Sequence, residues 1–154
     1  MKVGIAEMFE SMQGEGTQGG MPALFVRLAG CNLWNGREEG REKGKGNCAL
    51  WCDTNFLLDE RITISELEER INKYCEKSGS PLIVFTGGEP TLYADKIFAL
   101  CKALVHRGVM VSIETNGTKN HTLLDLLYLH KNGHVVCSPK RNRREERDRS
   151  FEHI

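Results

Sequence analysis

Pro81-Leu-Ile-Val-Phe-Thr-Gly-Gly-Glu-Pro90 decides the fold. Leu82 to Phe85 is a short unbroken apolar run, which reads as a strand buried on both faces. Gly87 and Gly88 end it, and Pro90 sets the turn into the next helix. On the amino side, residues 63–77 place Leu67, Ile71, Tyr74 and Cys75 on one helical face, with Ser65 and Glu68 as a capping box. On the carboxyl side, residues 93–107 place Ile97, Leu100, Cys101, Leu104 and Val105 on one face, and Gly108 stops that helix. A strand at 109–113, a helix at 122–131 and a strand at 134–137 follow. Three helix–strand pairs in succession predict parallel strands joined by right-handed crossovers, an α/β fold. Such sheets gather their working residues at the strands' carboxyl ends. Thr86 to Pro90, Glu114 to Gly117 and Ser138 to Lys140 all fall there.

Before residue 63 the pattern changes. Lys2 to Ser11 and Ala23 to Ala29 read as strands, the second apolar except for Arg27. Gln13-Gly-Glu-Gly16 and Gly19-Gly20 break the chain between them. Cys31 to Asp53 is loop-like. Its excursion, residues 35–47, carries four glycines and seven charges across 36–47 with no apolar residue, and so belongs to the surface. The tail, 141–154, has five arginines and four acids and little to bury, which predicts disorder. The domain is therefore 1–140, with 141–154 as a charged tail. With 154 residues and 40% hydrophobic composition, one core is expected. Zero net charge supplies no field toward nucleic acid or anionic lipid. With no membrane-length apolar run and no signal-peptide pattern, a cytoplasmic protein is expected.

Six cysteines in such a protein point to metal or redox work before disulfides. Cys75 and Cys101 lie on apolar helix faces and Cys137 in an apolar strand, so core packing is expected for all three. Cys31, Cys48 and Cys52 form a different set. Structural zinc wants four ligands, commonly in two close pairs. Here one close pair is joined by a single distant cysteine, with no histidine nearby. Three thiolates suit three irons of a four-iron cluster, leaving the fourth iron open to chelate a small molecule.

The remaining motifs are ambiguous when taken singly. The glycines 87 and 88 can admit a ligand to the backbone or simply make a turn. Glu89 can accept from an ammonium group. Gln13 and Glu15 offer hydrogen-bonding edges for a ring with amino and amide groups, or form an exposed turn. Arg27 can fork onto a carboxylate. As a surface residue it is ill placed in an apolar strand, where an unpaired charge is costly. Asp53 and Thr54 can serve a hard cation or cap a helix.

Taken together, Phe9-Glu-Ser-Met-Gln-Gly-Glu-Gly16, Phe25-Val-Arg-Leu-Ala-Gly-Cys-Asn-Leu-Trp34, Cys52-Asp-Thr54, Thr86-Gly-Gly-Glu-Pro-Thr-Leu92, Glu114-Thr-Asn-Gly117 and Ser138-Pro-Lys140 resemble the 7-carboxy-7-deazaguanine synthases. These are radical S-adenosylmethionine (SAM) enzymes of the queuosine pathway of tRNA modification. The resemblance covers about residues 3–140 and implies a partial parallel β/α barrel. It implies that Cys31, Cys48 and Cys52 hold a [4Fe–4S] cluster, whose electron cleaves SAM to a 5′-deoxyadenosyl radical. That radical would open the ring contraction of 6-carboxy-5,6,7,8-tetrahydropterin to 7-carboxy-7-deazaguanine. By position, Met12, Gln13, Gly14, Glu15, Gly16, Arg27 and Thr86 would meet the pterin. Trp51, Asp53, Gly88, Glu89, Asn116, Ser138, Pro139 and Lys140 would meet SAM, and Thr54 a magnesium ion. A flavodoxin- or ferredoxin-type electron donor and a homodimer are also implied, with no nucleic acid or membrane partner.

Two departures stand against the resemblance. Radical enzymes commonly place two residues between their last two cysteines, whereas Cys48 and Cys52 have three. The family also continues beyond Ser-Pro-Lys with further strand and helix, so a C-terminally truncated member is expected, its activity impaired. The competing readings are an activase that makes a glycyl radical on a protein partner, which leaves Gln13 and Arg27 without a role, and an inactive cluster-binding fragment.

Overall fold

The structure is a computed structural model that describes residues 1–44, 48–79 and 81–140. The end of the excursion and the tail predicted to be disordered lie outside the described residues. The strands are β1 (Lys2–Met12), β2 (Pro22–Leu28), β3 (Glu60–Thr63), β4 (Leu82–Gly87), β5 (Met110–Thr115) and β6 (Gly133–Cys137). The helices are α1 (Cys48–Trp51), α2 (Ile64–Lys77), α3 (Ala94–His106) and α4 (Thr122–Leu129), with short 3-10 segments at Gly16–Gln18, Glu38–Lys43 and Pro90–Tyr93.

All six strands form one open sheet in the order β3-β1-β2-β4-β5-β6. β2, β4, β5 and β6 are parallel, as the helix–strand alternation predicts. β1 joins antiparallel to β2 through a hairpin, and β3 adds antiparallel to β1. The result is a partial parallel β/α barrel.

Burial separates the two faces of the sheet. Leu24, Val26 and Leu28 of β2, Ile83 and Phe85 of β4, and Val111 and Ile113 of β5 pack with Leu67, Ile97 and Leu104 of the helices in the main core. Alternate residues Ala23, Phe25, Leu82 and Val84 make a smaller cluster on the opposite face. Arg27 and Thr86, register partners on β2 and β4, continue that second face toward the carboxyl ends. Helices thus leave one face free of their own packing, and polar residues cross it where the strands end.

Three local expectations need correction. The capping box of α2 is Thr63 with Glu66, not Ser65 with Glu68: the Thr63 hydroxyl accepts from the Glu66 amide at 3.1 Å, and the Glu66 carboxylate accepts from the Thr63 amide at 2.6 Å. The true box begins two residues earlier because β3 runs directly into the helix. Cys137 is exposed, not core, since it ends β6, the edge strand of the sheet. The segment 31–53 is not wholly irregular, for it contains the Glu38–Lys43 turn and α1. Cys101 is buried and Cys75 packs partly against the same core, as expected.

Candidate active site

The site begins where β4 ends. Gly87 has φ +132, and a Cβ there would lie 2.1 Å from the Leu28 carbonyl oxygen. A Cβ on Gly88 would lie 2.1 Å from the Gly30 carbonyl oxygen and 2.9 Å from Cys31 Cβ. Both glycines are therefore demanded by the chain's own close packing. Their turn grips the segment before the first cysteine: the Gly88 amide donates to Leu28 at 3.3 Å and the Glu89 amide to Gly30 at 3.0 Å. The Gly30 amide in turn donates to Phe56 at 2.9 Å, so Cys31 is held from two sides.

Glu89 is fully buried. Its carboxylate accepts from the Thr91 amide (3.0 Å), the Thr91 and Thr115 hydroxyls (2.6 and 2.8 Å) and the Asn116 amide (2.7 Å). It ties the end of β4 to the end of β5. The Asn116 side chain donates to Asn32 at 3.0 Å and accepts from the Thr118 hydroxyl at 2.6 Å, linking the same loop to the residue after Cys31.

Across the strand ends lies a cavity of about 540 Å³. Cys31, Cys48 and Cys52 all line it. Of the other residues singled out, Trp51, Asp53 and Thr54 stand beside the cysteines; Thr86, Gly88 and Asn116 come from β4 and β5; Ser138, Pro139 and Lys140 follow β6; and Glu15 reaches in from the hairpin. Met12, Gln13, Gly14, Gly16, Arg27 and Glu89 do not form the wall. Gln13 is buried instead, donating to the Glu114 carboxylate at 3.1 Å and accepting from the Glu15 amide at 3.1 Å. That bond closes the hairpin turn over the end of β5. Gly16, at φ +69, passes so close to β6 that an added Cβ would meet Val136 at 2.8 Å. Arg27 pays for its place in an apolar strand by pairing with Glu7 at 3.2 Å and lying over the Phe9 ring.

Sequence reasoning gave no site role to Glu114, placed only within a strand-end motif, or to the aromatic pair Trp34 and Phe56. Glu114 lines the cavity with a carboxylate that Gln13 engages. Trp34 and Phe56 meet edge to face at 5.6 Å and back the cysteines from behind. Glu114 was readable only as part of a strand-ending turn, and the aromatic pair only as ordinary apolar residues in a loop.

The Radical SAM superfamily model matches residues 47–149. The chain belongs to the radical SAM superfamily. It is 40% identical over 125 residues to the 7-carboxy-7-deazaguanine synthase of Bordetella pertussis and 39% identical over 127 residues to that of Caulobacter vibrioides. Each alignment covers 77% of this chain and 57% of the relative, so the chain spans little more than half the length of these curated relatives. The crystal structure of QueE from Escherichia coli superposes with a TM-score of 0.63 at 27% identity, over 93% of this chain and 62% of that one.

Membership in the radical SAM superfamily implies a [4Fe–4S] cluster and SAM, and the donor set fits both. Three thiols face one cavity. Burial pushes the Cys48 thiol up, Cys52 adds to this, Lys140 opposes it and Cys31 adds a further push; metal ligation would take all three as thiolates. Among the described residues no three His, Cys, Asp or Glu side chains converge on a single-ion site. A cubane takes each thiolate on a different iron, so a shared wall is the arrangement it needs. Cys48 opens α1 and Cys52 directly follows its last residue, so the longer spacing is taken up by a single helical turn.

Proposed function

We propose that this chain carries the reaction of its relatives' name, forming 7-carboxy-7-deazaguanine from 6-carboxy-5,6,7,8-tetrahydropterin. The observation that carries the reading is the hairpin turn: Gln13 bonded to Glu114, with Glu15 on the wall of the cavity that holds the three cysteines. A radical site needs only the thiols and the strand-end loops. Two carboxylates, Glu15 and Glu114, set against the same space are acceptors suited to the N–H edges of a heteroaromatic substrate. A protein-activating enzyme would have no use for them.

Cluster and SAM together supply one-electron reductive cleavage when bound. The chain's own residues do the rest. Gly88, Asn116, Trp51, Asp53 and Ser138 to Lys140, all on the cavity wall, would hold SAM. Glu89 acts from beneath by fixing the Asn116 loop. Glu15 and Thr86 would meet the pterin from the cavity wall and Thr54 would contribute to a magnesium ion; Met12, Gln13, Gly14, Gly16 and Arg27, which lie off that wall, would complete the pterin site, Arg27 by exchanging its Glu7 partner for the substrate carboxylate. Substrate and product differ by one ammonia, so the conversion is redox-neutral and SAM can be regenerated. A small electron-transfer protein, a homodimeric state and a cytoplasmic setting complete the reading.

The test is anaerobic turnover of reconstituted protein with reductant, magnesium, SAM and the pterin, read by mass. Product that disappears in Cys31→Ala and falls at least tenfold in Gln13→Ala is expected. SAM cleavage without deazaguanine product would overturn the pterin assignment while leaving the radical site standing.

A further inference from the structure

α1 has only four residues, too few to hold itself together. Its last carbonyls have no partner within the helix. Arg41, from the charged excursion, supplies one. Its Nη1 donates to the Ala49 carbonyl at 2.7 Å and to the Cys52 carbonyl at 3.2 Å. Its Nε donates to the Glu38 carboxylate at 2.7 Å, and its guanidinium lies 4.4 Å from the centre of the Trp34 ring. The Trp34 indole is itself fixed, donating to the Arg37 carbonyl at 3.2 Å. The excursion also touches α1 directly: a Cβ on Gly44 would come within 2.3 Å of Ala49 Cβ, and Ala49 is fully buried.

We propose that Arg41 is a positioning residue for the iron–sulfur ligands, clasping the Cys48–Cys52 turn from the excursion and placing a fixed positive charge beside the cluster. The inference rests on the cluster reading above. Its physical basis is the altered cysteine spacing. As a helical turn the four-residue step rises ~6 Å. As extended chain the same step reaches ~13 Å. The carbonyls that Arg41 holds favour the helical turn, together with the burial of Ala49 against Trp34 and Phe56. One guanidinium nitrogen holds both oxygens while Nε engages Glu38 and the planar group lies on the indole, a combination a lysine cannot make. A cation beside the cluster also raises its reduction potential.

The experiment compares wild type, Arg41→Ala, Arg41→Lys and, as a control on the exposed side of the same turn, Glu42→Ala. Each is reconstituted anaerobically and assayed for iron and sulfide per chain, rate of iron loss to a chelator, and midpoint potential. Expected are ~10-fold faster iron loss and a more negative potential in Arg41→Ala. Arg41→Lys should keep the potential close to wild type but lose iron faster, and Glu42→Ala should match wild type throughout. If Arg41→Ala does not fold, Arg41→Lys carries the comparison. Iron loss from a folded arginine variant at the wild-type rate would overturn the clasp. A wild-type protein that takes up no iron and sulfide would overturn the cluster reading and the clasp with it.

Discussion

A buried carboxylate with four hydrogen-bond donors and, among the described residues, no paired cation lies beneath the site. Glu89 accepts from Thr91, Thr115 and Asn116, drawn from two strand ends. Truncation to alanine strands the Thr91 and Asn116 amides in the interior, and hydrogen bonds to a charged acceptor are among the stronger ones. Glu89→Ala should cost about 3 kcal/mol in urea unfolding, with Glu89→Gln costing less because one oxygen is kept. Gly88→Ala should cost about as much, since its Cβ would strike backbone that has no room to yield. His134 gives a pH signature. Burial lowers its pKa below the ordinary 6.5. The unfolded chain then binds the proton more readily, so its contribution to stability is whole above 6.5 and declines as the pH falls toward the depressed value. His134→Gln should flatten that part of the stability–pH curve. At this scale the sequence declares residue types but not directions. Gln13, Arg27 and Glu89 stand out as polar groups in apolar or glycine-rich surroundings. That Glu89 turns inward depends on partners 26 and 27 positions away, which no local pattern contains.

The elements follow their periodicities. The apolar faces of α2 and α3 and the apolar run of β4 could be read directly, because each buries side chains at a regular interval against the main core. β3 could not. Only Ile62 of its four residues is buried, and it is a strand by virtue of pairing with β1. Missing β3 also misplaced the helix cap, since Thr63 is both the end of that strand and the N-cap of α2. Thr63→Ala should therefore cost about 1 kcal/mol, read as a lowered urea midpoint with unchanged slope. Ser65→Ala, at the position first expected to cap, should have little effect. The excursion shows the reverse error. Its composition marks it correctly as surface, yet composition cannot reveal that one of its arginines reaches back to the cysteine turn.

For the whole molecule, the alternation of helix and strand was enough to predict that Thr86 to Pro90, Glu114 to Gly117 and Ser138 to Lys140 would meet at one end of a parallel sheet, and all but Glu89, Pro90 and Gly117 line one cavity. The hairpin of β1 and β2 then brings Glu15 and the buried Gln13 across that end, and the Gly30 segment delivers Cys31. What brings Cys31 to the other two cysteines is thus a set of contacts between segments far apart in sequence, backbone bonds at Gly30 and packing around Trp34, Ala49 and Phe56. The central claim is that these thiols hold a site-differentiated [4Fe–4S] cluster with one iron open to SAM. The most direct test is the electron paramagnetic resonance spectrum of the reduced, anaerobically reconstituted protein, recorded with and without SAM. The account predicts a four-iron signal whose g-values move when SAM is added, and its loss in each of the Cys31→Ala, Cys48→Ala and Cys52→Ala variants. A cluster signal indifferent to SAM, or one that survives removal of any of the three thiols, would contradict it.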